Sequence, residues 1–324
     1  YALRNSFNRV GQDHVILVRL ASTAVATAML GGGKEQIVTA VSHSWIDNGA
    51  LRSYRHAPNT GPRKSWAAGD ACRRAVIHAI NAVDRGVVGY PSALSAATWG
   101  YYDVAFEGKA FEFERPFGSY VMENVLFKLS YPAEFHAQTA VECAMRLHGQ
   151  VAGRIAEIDQ VVIETQEAGA RIIDKTGPLA NYADRDHCIQ YMVAVPLLFG
   201  RLTADDYGDE VAADPRIDAL RERMAVSENP RFTRDYFDPD RRYIGNSVQV
   251  FFKDGSHTDK VSIDYPIGHR RRRAEGIPVL LGKFEAAIRG HLPAHRVKAI
   301  LQATSDPAGL DSMPVQEFLE LFTL

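Results

Sequence analysis

The segment RHAPNTGPRKSWAAGD concentrates positive charge on one short loop that leads into a helix. Its basic side chains are Arg55, His56, Arg63 and Lys64, and Arg52 lies just upstream. Prolines and glycines fix such a backbone, so that the side chains can converge on a ligand. The ligand that the charge favours is an anion, bound by bidentate arginine forks and by a lysine point charge. A solvated surface loop is the alternative interpretation.

A histidine that could exchange protons precedes the first long apolar segment. NRVGQDHV places Asp13 and His14 side by side. An imidazole with an unperturbed pKa of about 6.5 can act as a general acid or base near neutrality. His14 is therefore a candidate catalytic residue, and a capping or core histidine is the alternative.

The segment FKLSYPAEFHAQTAVE combines Lys128, Glu134 and His136 ahead of another predicted helix. Glu134 and His136 are two residues apart, so in an extended segment their side chains share a face. A metal site would need further ligands at suitable spacing, and the sequence offers none there. A helix-capping region with an incidental lysine is the alternative.

Two further features argue against metal and nucleic-acid chemistry. Cys72, Cys143 and Cys188 are far apart, without a CxxC pair, and we interpret them as reduced core thiols. The run HRRRR at 269–273 lacks interleaved aromatic residues and indicates pairing with acidic neighbours or with the substrate.

Bulk composition limits the classes of function. The chain has 324 residues, 46% of them hydrophobic, and a formal net charge of −2. This charge gives no overall attraction to nucleic acid or membrane, and the apolar runs are shorter than the ~20 residues of a spanning helix. We predict a soluble protein of a reducing compartment, the cytoplasm or, in a eukaryote, the mitochondrial matrix. Because the chain opens on Tyr1 within a sequence typical of a domain interior, we also expect an N-terminal part to be missing.

Hydrophobic spacing predicts the elements that position these residues. Helices are expected over 15–30, 34–45 and 65–86, so the first region is all-α. Small residues at the third helix predict close approach to a neighbour, namely Ala68, Ala71, Ala75 and Ala79.

The pattern changes after Phe106, and the following region reads as α+β. A helix is predicted near 137–151, then a strand in DQVVIETQEA, and a hairpin in SVQVFFKDGSHTDKVSIDY through Asp254 and Gly255. Helical patterns return after Ile277. We therefore predict two domains: a mostly helical domain from 1–117 and 269–324, and an inserted α+β domain from 118–268.

Several long strings in order carry a family resemblance. They are NSFNRVGQDHV, RHAPNTGPRKSWAAGDA, WGYYDVAF, GSYVMENVLFKLSYPAEFHAQTAVE, DRDHCIQYMVAVPLLFGRL and YPIGHRRRR. Together they resemble the MmgE/PrpD family from end to end. The resemblance implies the same two-domain fold and a missing N-terminal segment that carries further Asp and His site residues. It also implies dehydration of 2-methylcitrate in propionate catabolism.

The resemblance also implies site residues. In the related cis-aconitate decarboxylase branch, active-site positions match His14, Lys64 and the region 128–136. We predict catalytic roles for His14, Lys64 and His136. Substrate-binding roles are predicted for Arg52, Arg55, Asn59, Arg63 and Lys128. The substrate would be a small tricarboxylate, held by a homodimer or a monomer.

The chemistry needs no cofactor on this interpretation. Removal of a proton alpha to a carboxylate needs nearby cations, and the leaving hydroxyl must be protonated. An iron–sulfur cluster needs cysteine ligands, commonly with a close pair, and the three cysteines are isolated. We predict metal-independent elimination. The alternatives are decarboxylation, isomerisation or hydration of an aconitate-type acid, and a non-catalytic binding or assembly protein.

Overall fold

The computed structural model describes residues 5, 7–47, 49, 51–56, 58–113 and 128–323. The chain divides into two compact units, residues 1–118 and 119–324. The grouping of residues 269–324 with the first helical region into one domain stays a prediction.

The described part of the first unit is helical. Its α-helices are α1 (Val15–Met29), α2 (Lys34–Ile46), α3 (Arg63–Asp84) and α4 (Tyr101–Phe106), with 3-10 helices at Phe7–Val10 and Arg52–Arg55. The three predicted helices are confirmed. After α1 ends, Gly31 has a φ of +86°, a conformation that favours glycine and stops the helix.

Small side chains of α3 allow the three long helices to pack closely. The buried alanines occur every fourth residue, at Ala67, Ala71, Ala75 and Ala79. This spacing keeps them on one face of the helix. The prediction of close packing is confirmed for three of the four alanines, but Ala68 is exposed, because the buried face starts one residue earlier.

The second unit contains the sheet. Its strands are β1 (Ile158–Thr165), β2 (Met224–Glu228), β3 (Asn246–Phe252) and β4 (Val261–Ile263), in the order β2-β1-β3-β4. Strands β1 and β2 are parallel, and the other pairs are antiparallel. The predicted hairpin is confirmed, with Gly255 at a φ of +84° in its connection.

The described part of the second unit also contains helices. They are α5 (Gln138–Val151), α6 (Glu167–Ile173), α7 (Tyr182–Arg185), α8 (Ile189–Phe199), α9 (Asp209–Ala212), α10 (Pro215–Arg221), α11 (Pro230–Phe237), α12 (Arg273–Arg289), α13 (Ala294–Thr304), α14 (Pro307–Ser312) and α15 (Val315–Glu320). Further 3-10 helices are Phe135–Ala137, Ala152–Glu157, Asp205–Tyr207 and Arg270–Arg272. The α+β interpretation of the middle region is confirmed.

The core of the second unit explains two of the three cysteines. Helix α8 is buried on nearly every face and packs with α5 and the sheet in one apolar cluster. Cys143 and Cys188 lie in that cluster. Cys72 is exposed, so its prediction as a core thiol is wrong: it directly follows buried Ala71 but lies outside the buried face that the alanines form, with Ser22 Oγ 3.3 Å from its sulfur. Across the described residues, no helix combines the length and apolar character needed to cross a membrane.

Candidate active site

In the first unit, a short backbone pairing brings two distant sequence motifs together. Gly11 has a φ of +76°, which turns the chain ahead of α1. Gln12 then forms an antiparallel bridge with Leu51, and the Arg52 amide donates to the Gly11 carbonyl at 2.9 Å. As a result, Asp13 lies beside the basic 3-10 helix Arg52–Arg55.

Asp13 is the buried centre of this cluster. Its side chain is fully buried and accepts from the Val15 amide at 3.0 Å, at the N-terminus of α1. The guanidinium of Arg55 donates to the other carboxylate oxygen at 2.5 Å. Burial alone would raise the pKa of Asp13, but these two hydrogen bonds lower it below its usual value. Asp13 is therefore a fixed negative charge.

His14 lies next to this carboxylate and faces solvent. Its Nδ1 is 3.4 Å from Asp13 Oδ1, and its side chain is 51% exposed. Partial burial lowers the pKa of His14, Arg55 and Arg52 lower it further, and Asp13 opposes them. The imidazole is therefore neutral near pH 7 and can accept a proton, as a general base must.

The other loop residues have different environments. Arg55 is only 13% exposed and its guanidinium also donates to the Tyr54 hydroxyl at 3.3 Å. Arg52 Nε donates to His56 Nε2 at 3.2 Å. Lys64 is the second residue of α3 and partly buried, and Asn59 is exposed. Arg55 thus has an internal partner, while the substrate-binding roles of the group stay predictions.

Arg63 lines a cavity of about 180 Å³ that involves α1 and α3. Its guanidinium lies 4.3 Å from the centre of the Trp66 ring and 3.5 Å from Asp70 Oδ2. Val15, the residue after His14, also lines the cavity. The cavity is therefore lined by both cationic and anionic side chains, such as Arg63 and Asp70, and it adjoins the start of α1.

In the second unit, Glu134 and His136 form a tight pair. Glu134 Oε2 accepts from the His136 amide at 2.7 Å, which caps the 3-10 helix Phe135–Ala137. Its other oxygen lies 2.8 Å from His136 Nδ1. Burial alone would raise the pKa of Glu134, but the charge and hydrogen bonds of His136, aided by His187, lower it to about 2. The carboxylate is ionised and can only accept hydrogen bonds.

Further polar residues surround this pair. The Glu134 amide donates to the Asp186 carbonyl at 3.2 Å, which brings His187 to the site. His136 Nε2 lies 3.3 Å from the hydroxyl of Tyr236 on α11. Burial lowers the pKa of Lys128, as does Lys283, whereas Glu134 and Asp186 oppose the shift. The charge of Lys128 is therefore attracted to the carboxylates of both Glu134 and Asp186.

Sequence reasoning missed several residues of these clusters. The role of Asp13 as a buried partner of Arg55 depends on the bridge between residues 12 and 51, which no local pattern predicts. His187 stands in a quoted family string, DRDHCIQY, but its spacing alone gave no role. Tyr236 lies 100 residues from His136 and carried no signal.

The arginine run has mostly internal partners. Arg272 pairs with Glu142 at 2.8 Å and with Glu275 at 2.8 Å, which confirms the expectation of acidic neighbours for this residue. His269 is fully buried, and burial lowers its pKa to about 4, with the adjacent arginines adding to the shift. Within the described ranges, no three His, Cys, Asp or Glu side chains are grouped to hold a metal ion.

Comparison with known proteins defines the class. The sequence-family model of the MmgE/PrpD N-terminal domain matches residues 1–114, and the family model of the MmgE/PrpD C-terminal domain matches residues 131–306. The chain belongs to the MmgE/PrpD family, as the sequence strings predicted. A helical N-terminal region and a mixed region with a small sheet agree with these two domains.

Individual relatives narrow the class further. The chain is 60% identical over 326 residues to a 2-methylcitrate dehydratase of Salmonella typhimurium, an alignment that covers 100% of this chain and 67% of that protein. The protein of the same name from Escherichia coli strain K12 is 59% identical with the same coverage. A mitochondrial 2-methylcitrate dehydratase of Yarrowia lipolytica is 58% identical over 99% of this chain and 62% of its own length. The chain thus spans about two thirds of the length of these relatives.

Proposed function

We propose that this chain belongs to a hydro-lyase that eliminates water from 2-methylcitrate to give 2-methyl-cis-aconitate. The supporting observation is identity of 58–60% across essentially the whole chain to proteins named 2-methylcitrate dehydratase. Decarboxylation or isomerisation of an aconitate-type acid is not favoured by these relatives, and neither is a non-catalytic role.

The reaction sets requirements that the described clusters can meet. A base takes the proton from the carbon alpha to a carboxylate, and the electron pair of that C–H bond stays on the substrate, delocalised towards the carboxylate. This pair forms the new double bond as the C–O bond breaks, and the leaving hydroxide takes a proton to become water. Negative charge builds on the substrate carboxylate during proton removal, so nearby cations stabilise the transition state.

His14 is the proposed base, because its pKa is lowered and its side chain is accessible. Lys64 and Arg63, at the start of α3, are the proposed cations for substrate carboxylates, together with Arg52 and Lys128. Asn59 is a proposed neutral hydrogen-bond donor to the same substrate. His136 is the proposed acid for the leaving hydroxyl, since ionised Glu134 stabilises a positive imidazole. Arg55 acts on His14 through Asp13 in this proposal.

Elimination without an iron–sulfur cluster is part of the proposal. Burial raises the pKa of the Cys143 thiol to about 12 and that of Cys188 above its usual value. Both thiols lie in the apolar core of the second unit. A thiolate is the form that ligates iron, so these two side chains are poorly suited to that role.

The test is an ultraviolet assay for alkene formation from 2-methylcitrate, with the intact protein after chelator treatment. We expect the conjugated alkene to appear at an undiminished rate and no carbon dioxide to be released. Carbon dioxide release from an aconitate-type acid would favour the decarboxylase instead. Loss of activity on chelation, restored by iron, would overturn the metal-independent mechanism alone.

A further inference from the structure

The imidazole of His136 is held at both ring nitrogens. Glu134 Oε1 lies 2.8 Å from Nδ1, and the Tyr236 hydroxyl lies 3.3 Å from Nε2. The two rings are tilted by 47° with centroids 5.7 Å apart, so they also pack against each other. A carboxylate, an imidazole and a phenol therefore form one chain of hydrogen bonds.

The protons of this chain follow from the acceptor capacity of its ends. Because Glu134 is ionised, the Nδ1 contact requires a proton on Nδ1. A neutral ring then has its lone pair on Nε2, where it accepts from the phenol. Burial raises the pKa of Tyr236, so the phenol keeps its proton and can donate it.

The backbone that carries Tyr236 is firmly anchored. At the N-terminus of α11, the Asn229 side chain accepts from the Arg231 amide at 3.0 Å. Phe232 is buried, and Gly245 packs against its ring so closely that an added Cβ would come within 2.4 Å of it. Asp235, which precedes Tyr236, is buried and accepts from Arg241 at 2.7 Å. The phenol is therefore placed by the fold.

We propose that Tyr236 is a positioning residue for His136: before substrate binds, the Tyr236 hydroxyl bonds to Nε2 in either protonation state of the ring and fixes the orientation of the imidazole. A hydroxyl can donate to a neutral Nε2 and accept from a protonated one by rotating its hydrogen. Phenylalanine can do neither. This role rests on the proposed function, in which the substrate hydroxyl takes the place of the phenol at Nε2, and His136 gives its Nε2 proton to the leaving hydroxyl and takes one back from solvent after product release.

The test uses the intact protein labelled with ¹⁵N-histidine, without substrate, at a pH where the ring is neutral. The His136 resonances are assigned by their loss in His136→Gln. In Tyr236→Phe we expect Nε2 to shift to the position of an acceptor without a donor, while Nδ1 stays protonated. In the dehydration assay we expect kcat to fall about 10-fold and KM to stay nearly unchanged, because ring orientation is lost while substrate contacts remain.

Tyr191→Phe is the matched control. Tyr191 is a buried tyrosine of the same unit, and its hydroxyl donates to the Asp206 carbonyl at 2.6 Å. The variant should leave the His136 resonances and kcat unchanged. An unshifted Nε2 resonance in Tyr236→Phe, with or without a change in kcat, would overturn the proposal. If the wild-type protein fails to dehydrate 2-methylcitrate, the proposed function fails, but the resonance test still decides the contact.

Discussion

The two described histidine clusters use a carboxylate in opposite ways. In the first unit, Asp13 is bound by Arg55 and by a helix amide, and His14 lies at a looser 3.4 Å with half of its side chain in solvent. In the second unit, Glu134 accepts from the His136 amide and lies 2.8 Å from His136 Nδ1, and the His136 side chain is only 15% exposed. The charge of the Asp13 carboxylate is neutralised by Arg55, whereas the Glu134 carboxylate lies directly against the imidazole of His136.

This difference explains why the two acid–histidine pairs, Asp13–His14 and Glu134–His136, suit different chemistry. Burial and the nearby arginines lower the pKa of His14 in spite of Asp13, so that ring is neutral near pH 7, which suits a base. The Glu134 carboxylate lies directly against the His136 ring and supports its protonated form, which suits an acid. Sequence spacing alone, one residue apart or two, does not distinguish the cases, because the decisive partner comes from elsewhere in the chain.

The largest expected effect on stability comes from breaking the ion pair between Arg55 and Asp13 in the first unit. Arg55→Ala leaves the buried Asp13 carboxylate without its cation, and we expect the free energy of unfolding to fall by about 3 kcal/mol. Urea denaturation at pH 7 measures it. Arg73→Ala is the control, because Arg73 is 71% exposed and its pair with Asp70 should contribute less than about 1 kcal/mol. Equal losses in both variants would mean that Asp13 is not a buried charge.

The next prediction separates the proposed base, His14, from the proposed electrostatic role of Lys64 in the first unit. His14→Gln should lower turnover by about 100-fold and remove the acid limb of the pH–rate profile, since a base fails below its pKa. Because the pKa of His14 is lowered, this limb lies below pH 6.5. Lys64→Ala should lower the whole profile by about 100-fold with its shape kept, as expected for lost electrostatic stabilisation. A normal profile in His14→Gln would make His14 a structural residue.

The second cluster has a pH signature in stability. Glu134→Gln keeps the shape but loses the charge, and at pH 7 it should cost about 2 kcal/mol in the free energy of unfolding. The pKa of Glu134 is lowered from 4.5 to about 2, so its contribution is present above pH 4.5 and lost as the pH falls towards 2. Wild-type and variant stabilities should therefore converge in acid.

A control variant is available on the surface of the same unit. Glu157 is 54% exposed and pairs with Arg154. Glu157→Gln should change stability much less than Glu134→Gln does at pH 7, because solvent screens an exposed ion pair. A gap between wild type and Glu134→Gln that persists to pH 2 would show that the carboxylate is not ionised by its pairing with His136.

Local patterns predicted the regular elements well. The helices of the first unit follow from apolar spacing, and the hairpin follows from Asp254 and Gly255 between two alternating runs. Strand β2 was missed, because Met224–Glu228 is short and its parallel pairing with β1 depends on residues 63 positions away. The Ala68 error has a similar cause, since the start of a packed face is set by the neighbouring helix.

The candidate site was predictable only in part. The presence of His14, Lys64 and His136 as chemically capable residues could be read from local motifs and family strings. Their partners could not, because Arg55 reaches Asp13 across 42 positions and Tyr236 reaches His136 across 100. Those contacts depend on a backbone bridge in one unit and on the placement of α11 in the other.

The smallest expected effect compares the packing of the two units through their cysteines. Cys72 is exposed, with Ser22 Oγ 3.3 Å from its sulfur, whereas Cys143 and Cys188 are buried with raised pKa values. A disulfide reagent reacts with thiolate that it can reach. In the native protein we expect Cys72 to react fast and the two buried thiols only after unfolding.

Cys72→Ser should abolish the fast phase and change the free energy of unfolding by less than about 0.5 kcal/mol. Fast reaction of Cys143 or Cys188 in the variant, followed by mass spectrometry of labelled peptides, would mean that the core of the second unit opens readily, and the contrast in packing would fail.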